Sequence, residues 1–143
     1  MKKFALLLTG ILIFSSCLTS ENLPSNVTFE ILTIDEYDVP DTFTVGKVDT
    51  IAVKYTLPNN CYSFENVYYE VQDTTRIVAI NSFVRLEENC SDVEIQEEHK
   101  FTVFVSQQED YVFKFYKGRD NDGKDIFEFS IIDKEITLSF SAN

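Results

Sequence analysis

The sequence predicts an all-β fold, an antiparallel, immunoglobulin-like β-sandwich of seven to nine strands, because three features agree. Apolar and polar residues alternate in short segments, which places one side of each segment in a core and the other in water. Strand-forming residues dominate these segments, and the chain holds 13 Phe and 7 Tyr. Turn-forming residues separate the segments, and no segment shows a sustained helical period.

Eight segments carry the strand pattern, in chain order Val27–Ile31, Ile51–Leu57, Val67–Val71, Arg76–Ile80, Phe101–Val105, Tyr111–Phe115, Ile126–Ile131 and Ile136–Phe140. Turn signals lie between them, at Gly46, Pro58–Asn60, Gly118 and Gly123. The segment Val93–His99 has a weaker pattern and is predicted to be a strand edge or a loop.

The N-terminus has the layout of a bacterial lipoprotein signal peptide. A basic start, Met1–Lys3, precedes the apolar run Phe4–Phe14, the small pair Ser15–Ser16 and then Cys17. Because a helix needs roughly 20 apolar residues to span a bilayer, the run is too short for a transmembrane anchor. We expect residues 1–16 to be the signal peptide.

Two kinds of processing compete at this junction. Ordinary secretion favours small residues at positions −3 and −1 of the cleavage site, and Phe14 is too large for the first of these. The segment Ile13–Cys17 resembles a lipobox in which Phe14 replaces the usual leucine. We therefore expect residues 17–25 to be a lipidated N-terminus and tether, and 26–143 to be the domain. The alternative is a secreted protein with a spare thiol at Cys17.

The charge of the chain bears on its partners. Loss of Lys2 and Lys3 with the signal would reduce 12 basic side chains to 10 against 24 acidic ones, which gives a net charge of −14. Such a surface repels phosphate backbones, so nucleic acid is excluded as a partner. The acidic residues are dispersed along the chain, which is typical of a solvated surface.

Cys61 and Cys90 are predicted to form a disulfide. They remain as an even pair once lipid claims Cys17, and an exported protein meets an oxidising compartment. The bridge would close a loop of about 30 residues and stabilise the fold by roughly 3–4 kcal/mol in the chain-entropy model. A zinc site is the weaker alternative, because there is no CxxC and His99 is the one histidine.

Three segments of the domain resemble uncharacterised lipoproteins of the Bacteroidota: Asn60–Phe64, Thr75–Ala79 and Asp110–Gly118. The resemblance spans roughly residues 45–130 and implies an immunoglobulin-like sandwich in the cell envelope, with no known activity. In addition, Tyr111 lies at the head of its strand after an acidic turn, which resembles the tyrosine-corner position of such sandwiches.

The acidic segment Asp120–Asp125 is predicted to connect two strands rather than to bind calcium. An EF-hand loop aligned on Gly123 would place Gly118 and Phe129 where carboxylates are required. The dipeptide Asp122-Gly123 is instead a strong hairpin signal. A weaker cation site at this turn is the alternative.

A candidate binding patch comprises Tyr62, Phe64, Tyr68 and Tyr69, whose rings could stack on a sugar or anchor a protein partner. Core packing is the alternative, because Tyr68 and Tyr69 point to opposite faces if they lie in one strand. A catalytic role for His99 is not expected, since its neighbours are charged and no nucleophile motif lies nearby; we expect it to be a solvated surface residue.

These features predict a non-enzymatic envelope lipoprotein that needs no cofactor and either binds a protein or a glycan or supports an envelope assembly as a structural module. The membrane is a partner through the N-terminal lipid, and the expected location is the outer membrane, facing either the periplasm or the surface. The alternatives are a small secreted hydrolase and a module that presents a loop to a protease as an inhibitor.

Lipidation can be tested by mass spectrometry of the mature protein. The peptide that starts at Cys17 should carry acyl chains, whose methylenes each add about 0.8 kcal/mol of membrane affinity. Cys17→Ala should remove the acylation site and change both the processing and the membrane fractionation of the protein. A mature start at another residue would contradict the lipobox assignment.

Overall fold

The computed structural model describes residues 26–86 and 89–135, and these form nine strands with no helix. The strands are β1 (Val27–Leu32), β2 (Glu36–Asp38), β3 (Thr42–Thr44), β4 (Val48–Leu57), β5 (Tyr62–Gln72), β6 (Thr75–Arg85), β7 (Ile95–Phe104), β8 (Tyr111–Arg119) and β9 (Asp125–Glu135). The all-β prediction is therefore confirmed. Cys17, the tether and the predicted strand Ile136–Phe140 lie outside the described residues.

The strands form two sheets. One has six strands: β5 pairs with one edge of β6, while β1 and β8 share the other edge, and β9 and β3 follow β8. The other has three, in the order β2-β4-β7. Two pairings, β6 with β8 and β3 with β9, are parallel. The prediction of a purely antiparallel sandwich was wrong on this point, because alternation defines the buried side of a strand and not its direction.

The core between the sheets is built around the inward rings of β8. Tyr111, Phe113 and Phe115 are buried and follow one another at centroid distances of 6.2 and 5.9 Å. Phe43 of β3 packs edge-on against Tyr111 at 5.0 Å, and Tyr37 of β2 stacks on Phe115 at 3.9 Å. The short strands β2 and β3, which pair with β4 and β9, are thus also held by ring contacts with β8.

A β-bulge interrupts β5. The register with β6 shifts between Phe64 and Asn66, so one extra residue lies on β5 at this point. An extra residue changes which side chains of the following segment face the core. As a result Phe64 and Val67, three positions apart, both pack against the core.

The predicted disulfide is present. Cys61 and Cys90 are joined, with 5.6 Å between their α-carbons. Cys61 precedes β5 and is 3% exposed, while Cys90 lies between β6 and β7. The bridge therefore ties the six-stranded sheet to the segment that crosses to the three-stranded sheet.

Tyr111 makes the contact expected of a tyrosine corner. Its hydroxyl oxygen accepts hydrogen bonds from the backbone N–H groups of Ser106, at 3.0 Å, and Gln107, at 3.2 Å. The guanidinium of Arg76 lies over its ring, 4.9 Å from the centroid. The hydroxyl thus fixes the loop that leads into β8.

Tyr111→Phe should therefore destabilise the domain by about 1–3 kcal/mol, because the change leaves two backbone donors without their acceptor. Urea unfolding measures the loss. The control is Tyr116→Phe, which removes a hydroxyl from a half-exposed residue of the same strand and should cost less. Equal losses in the two variants would contradict the role assigned to the corner.

Candidate binding surface

The four residues of the predicted aromatic patch all belong to β5, but the structure does not bring them to one surface. Because of the bulge, Tyr62, Phe64 and Tyr69 all face the three-stranded sheet. Tyr68 points away from it and lines a groove on the opposite side of the six-stranded sheet. The expectation that Tyr68 and Tyr69 face opposite ways is confirmed.

The three inward residues make packing contacts between the sheets. Phe64 stacks on Tyr55 at 5.8 Å, and Tyr69 meets Phe101 edge-on at 5.8 Å. The Tyr62 hydroxyl donates to a carboxylate oxygen of Glu30 at 2.6 Å. This hydrogen bond, together with burial, raises the pKa of Tyr62 to about 12. Tyr62 and Phe64 thus pack against the core, while Tyr69 stays 36% exposed.

His99 was expected to be a solvated surface residue, and that expectation was wrong. Its side chain is half-buried and stacks on the ring of Phe64 at 4.4 Å. Two residues earlier, Glu97 accepts a hydrogen bond of 2.7 Å from the buried Tyr55 hydroxyl. Burial and this bond raise the pKa of Tyr55. His99 was misassigned because its charged neighbours, Glu98 and Lys100, point the other way on the strand.

The side of the six-stranded sheet that faces away from the three-stranded sheet is rich in aromatic and aliphatic side chains. We call this side the outer aromatic face; its members are Phe29, Ile31, Tyr68, Phe83, Tyr116, Phe127, Phe129 and Ile131. Ile131 is 68% exposed, Phe129 is 59% exposed, and Phe29 is 50% exposed. Rings of neighbouring strands touch across it, such as Phe29 and Phe83 at 4.8 Å.

Two strands of the sheet, β6 and β8, carry apolar residues on both sides, whereas β1 and β9 direct apolar residues outward and several polar residues inward. Along β8, Phe113 and Phe115 point inward, while Val112 and Tyr116 point outward. A sheet with one solvated side normally alternates apolar and polar residues. The apolar character of the outward residues is therefore not explained by packing in the core of the domain.

A groove crosses the centre of the outer aromatic face. Tyr68 of β5 pairs directly with Ala79 of β6, and Tyr116 of β8 pairs with Phe127 of β9. The small side chain of Ala79 forms the floor between the rings. The groove has a volume of about 350 Å³. A cavity of this size is at the lower end of the range of small-molecule sites.

Polar groups line two parts of the groove. Glu70 accepts hydrogen bonds from the Tyr68 hydroxyl and from the side-chain amide of Gln72, the latter at 2.8 Å. These bonds lower the pKa of Glu70, so the carboxylate stays ionised at neutral pH. Arg119 donates through Nε to Asp125 at 2.8 Å, and both residues line the groove.

A second hollow, also of about 350 Å³, lies on the outward side of the three-stranded sheet. Its lining includes the exposed ion pair between Lys54 Nζ and Glu36 Oε2, 2.7 Å apart, and the pair Lys100–Glu98, 3.3 Å apart. Alternating exposed charges of this kind favour hydration over ligand binding. The outer aromatic face is therefore the stronger candidate surface.

The acidic segment Asp120–Asp125 connects β8 to β9, as predicted. The backbone N–H of Gly123 donates to the carbonyl of Asp120 at 3.0 Å, and Gly123 has the positive φ of 78° that favours glycine. One carboxylate oxygen of Asp120 accepts from the N–H groups of Asp122 and Lys124, each at 2.9 Å. The turn is thus closed by its own backbone.

Protein-family models, curated proteins and solved structures contain no match to this chain. Between residues 26 and 135, leaving aside 87 and 88, no three histidine, cysteine or acidic side chains are grouped so that they could hold a metal ion. Over the same residues, no helix has the length and hydropathy to cross a bilayer.

Calcium should leave the melting temperature unchanged at micromolar concentrations, because Asp120 Oδ1 is already occupied by two backbone donors. Ligand at about 100 times its dissociation constant would stabilise by about 2.7 kcal/mol, which a thermal melt detects. A shift of several degrees that Asp122→Ala abolishes would show that the turn binds the ion.

Proposed function

We propose that the protein is a non-enzymatic, lipid-anchored lipoprotein of the cell envelope that binds a protein or a glycan through the outer aromatic face. The observation that carries the proposal is a set of large apolar side chains on one side of the six-stranded sheet, exposed on β1, β5 and β9 and partly exposed on β6 and β8. The lipobox-like junction at Cys17 supports the anchor. The Cys61–Cys90 bridge fits an oxidising compartment outside the cytoplasm.

The energetics of exposed apolar surface support a partner. Each Å² of such surface removed from water contributes about 25 cal/mol. Soluble monomers rarely expose large contiguous apolar patches, and those that do often use them for binding. Phe29, Phe129 and Ile131 are each at least half exposed, so covering them would release a substantial driving force.

We further propose that the domain is a variant of the immunoglobulin-like sandwich, as its resemblance to Bacteroidota lipoproteins implies. Two packed sheets and the backbone contacts of the Tyr111 hydroxyl support this class. The parallel pairing of β6 with β8 is the feature that departs from an all-antiparallel arrangement.

A binding role is favoured over the hydrolase alternative by the position of His99. A general base must be within hydrogen-bond reach of the proton that it abstracts. His99 stacks on Phe64 between the sheets, on the side opposite to the groove lined by Tyr68. The outer aromatic face and the one histidine of the chain therefore belong to different regions.

The proposal can be tested by site-specific photo-crosslinking in the source bacterium. A photoreactive phenylalanine analogue at Phe129, which is 59% exposed, should form defined adducts because a partner covers it. The matched control places the analogue at Val48, which is 60% exposed on the three-stranded sheet. Digestion of the adduct with protease or oxidation with periodate distinguishes a protein from a glycan.

Adducts that form from both positions to the same extent would contradict a role specific to the outer aromatic face. So would the absence of adducts from position 129 in cells that contain the mature protein. Membrane fractionation of the same cells provides an independent check of the anchor.

A further inference from the structure

We propose that the groove between Tyr68 and Tyr116 binds one ring of a neutral saccharide, as part of a glycan chain that lies across the outer aromatic face. This inference rests on the proposed function, since it names the class of ligand for the same face. Four features of the groove support it: its width, the small side chain of Ala79 at its base, the aromatic and polar groups that line it, and its charge.

The width of the groove suits a ring. Tyr68 on β5 pairs with Ala79 of β6, and Tyr116 on β8 follows Phe115, which is the last residue of β8 that pairs with β6. Neighbouring strands are about 4.8 Å apart, so about 10 Å of sheet separates the two backbones. A ring in contact with a wall on each side needs about 7–8 Å, because contacting carbon atoms lie about 3.5–4.0 Å apart.

The floor of the groove depends on one small residue. The other outward side chains of β6, among them Ile77 and Phe83, are larger than Ala79. Ala79 is only 3% exposed because its neighbours rise above it. A larger side chain at this position would occupy the space that the proposed ligand needs.

The groove combines the two kinds of group that a sugar requires. The C–H faces of a sugar ring are apolar and pack on aromatic rings such as those of Tyr68, Tyr116 and Phe127. Its hydroxyl groups both donate and accept hydrogen bonds. Glu70 offers carboxylate oxygens to donors, and Arg119 offers N–H groups to acceptors.

The charges favour a neutral ligand. Glu70, Asp125 and Arg119 give the groove a net charge of about −1, and the whole chain carries −12. Phosphorylated, sulfated or uronic ligands would therefore be repelled. Aromatic rings beside a carboxylate could also hold an organic cation. Arg119, which lines the same groove, opposes that occupant.

The test uses the whole mature chain in detergent and a panel of defined oligosaccharides. The panel covers neutral hexose, pentose, deoxyhexose and N-acetylhexosamine polymers, sulfated and uronic polymers, and choline as the cationic probe. We expect at least one neutral oligosaccharide to bind in an array and to give a saturable isotherm in calorimetry. Binding should be at least tenfold weaker for the anionic polymers and for choline.

Two variants connect this binding to the groove. Ala79→Leu fills the floor and Tyr68→Ala removes one wall, so each should weaken the affinity at least tenfold. Val48→Ala is the control, because Val48 is 60% exposed on the three-stranded sheet and lines no part of the groove. Melting temperatures identify a variant that fails to fold; Tyr68→Ala then carries the test if Ala79→Leu is unstable.

The inference would be overturned if no neutral oligosaccharide binds, if choline or an anionic polymer binds best, or if the groove variants bind as well as the control. Cross-linking of a protein from position 129 without saccharide binding would leave the binding face in place and refute its assignment to a glycan. Failure of both experiments would refute the face itself.

Discussion

The packing of the inward rings of β8 determines most of the architecture. A continuous buried row is formed by Tyr111, Phe113 and Phe115. Tyr37 of β2 and Phe43 of β3 pack on this row, and the contacts stabilise two strands that are too short to be stable alone. Since successive side chains of a strand alternate between its two sides, burying one row necessarily places the other outside. The outward position of Tyr116, and with it one wall of the groove, follows from the core contacts of its neighbours.

Much of the fold could be predicted because its physical signals are local. Alternation along Ile51–Leu57 and Tyr111–Phe115 specifies strands, the cysteine pair specifies a bridge, and Asp122-Gly123 specifies a turn. Strand direction is not local: β8 has the same pattern whether it runs parallel or antiparallel to β6. Strands of three residues, such as Thr42–Thr44, are too short to show a period at all.

The candidate surface was harder to predict because its residues come from distant parts of the chain. A single extra residue between Phe64 and Asn66 changes which rings of β5 contact the core. The composition of that segment does not predict this bulge. One signal was present: Phe127, Phe129 and Ile131 alternate with the polar Glu128 and Ser130, which is the pattern of a strand with one covered side. The structure turns these three apolar side chains outward, and Phe129 and Ile131 are each more than half exposed.

If a lipid at Cys17 holds the protein as proposed, the position of β1 determines which end of the sheet is nearer to the membrane. Val27 pairs with Arg85 at the end of the sheet where the disulfide lies, and the β5–β6 turn at Asp73 is about 35 Å away along β6. The tether before Asn26 can extend about 30 Å. The end of the sheet that carries the disulfide would therefore lie within about 30 Å of the lipid, and the β5–β6 turn would be the more distant end.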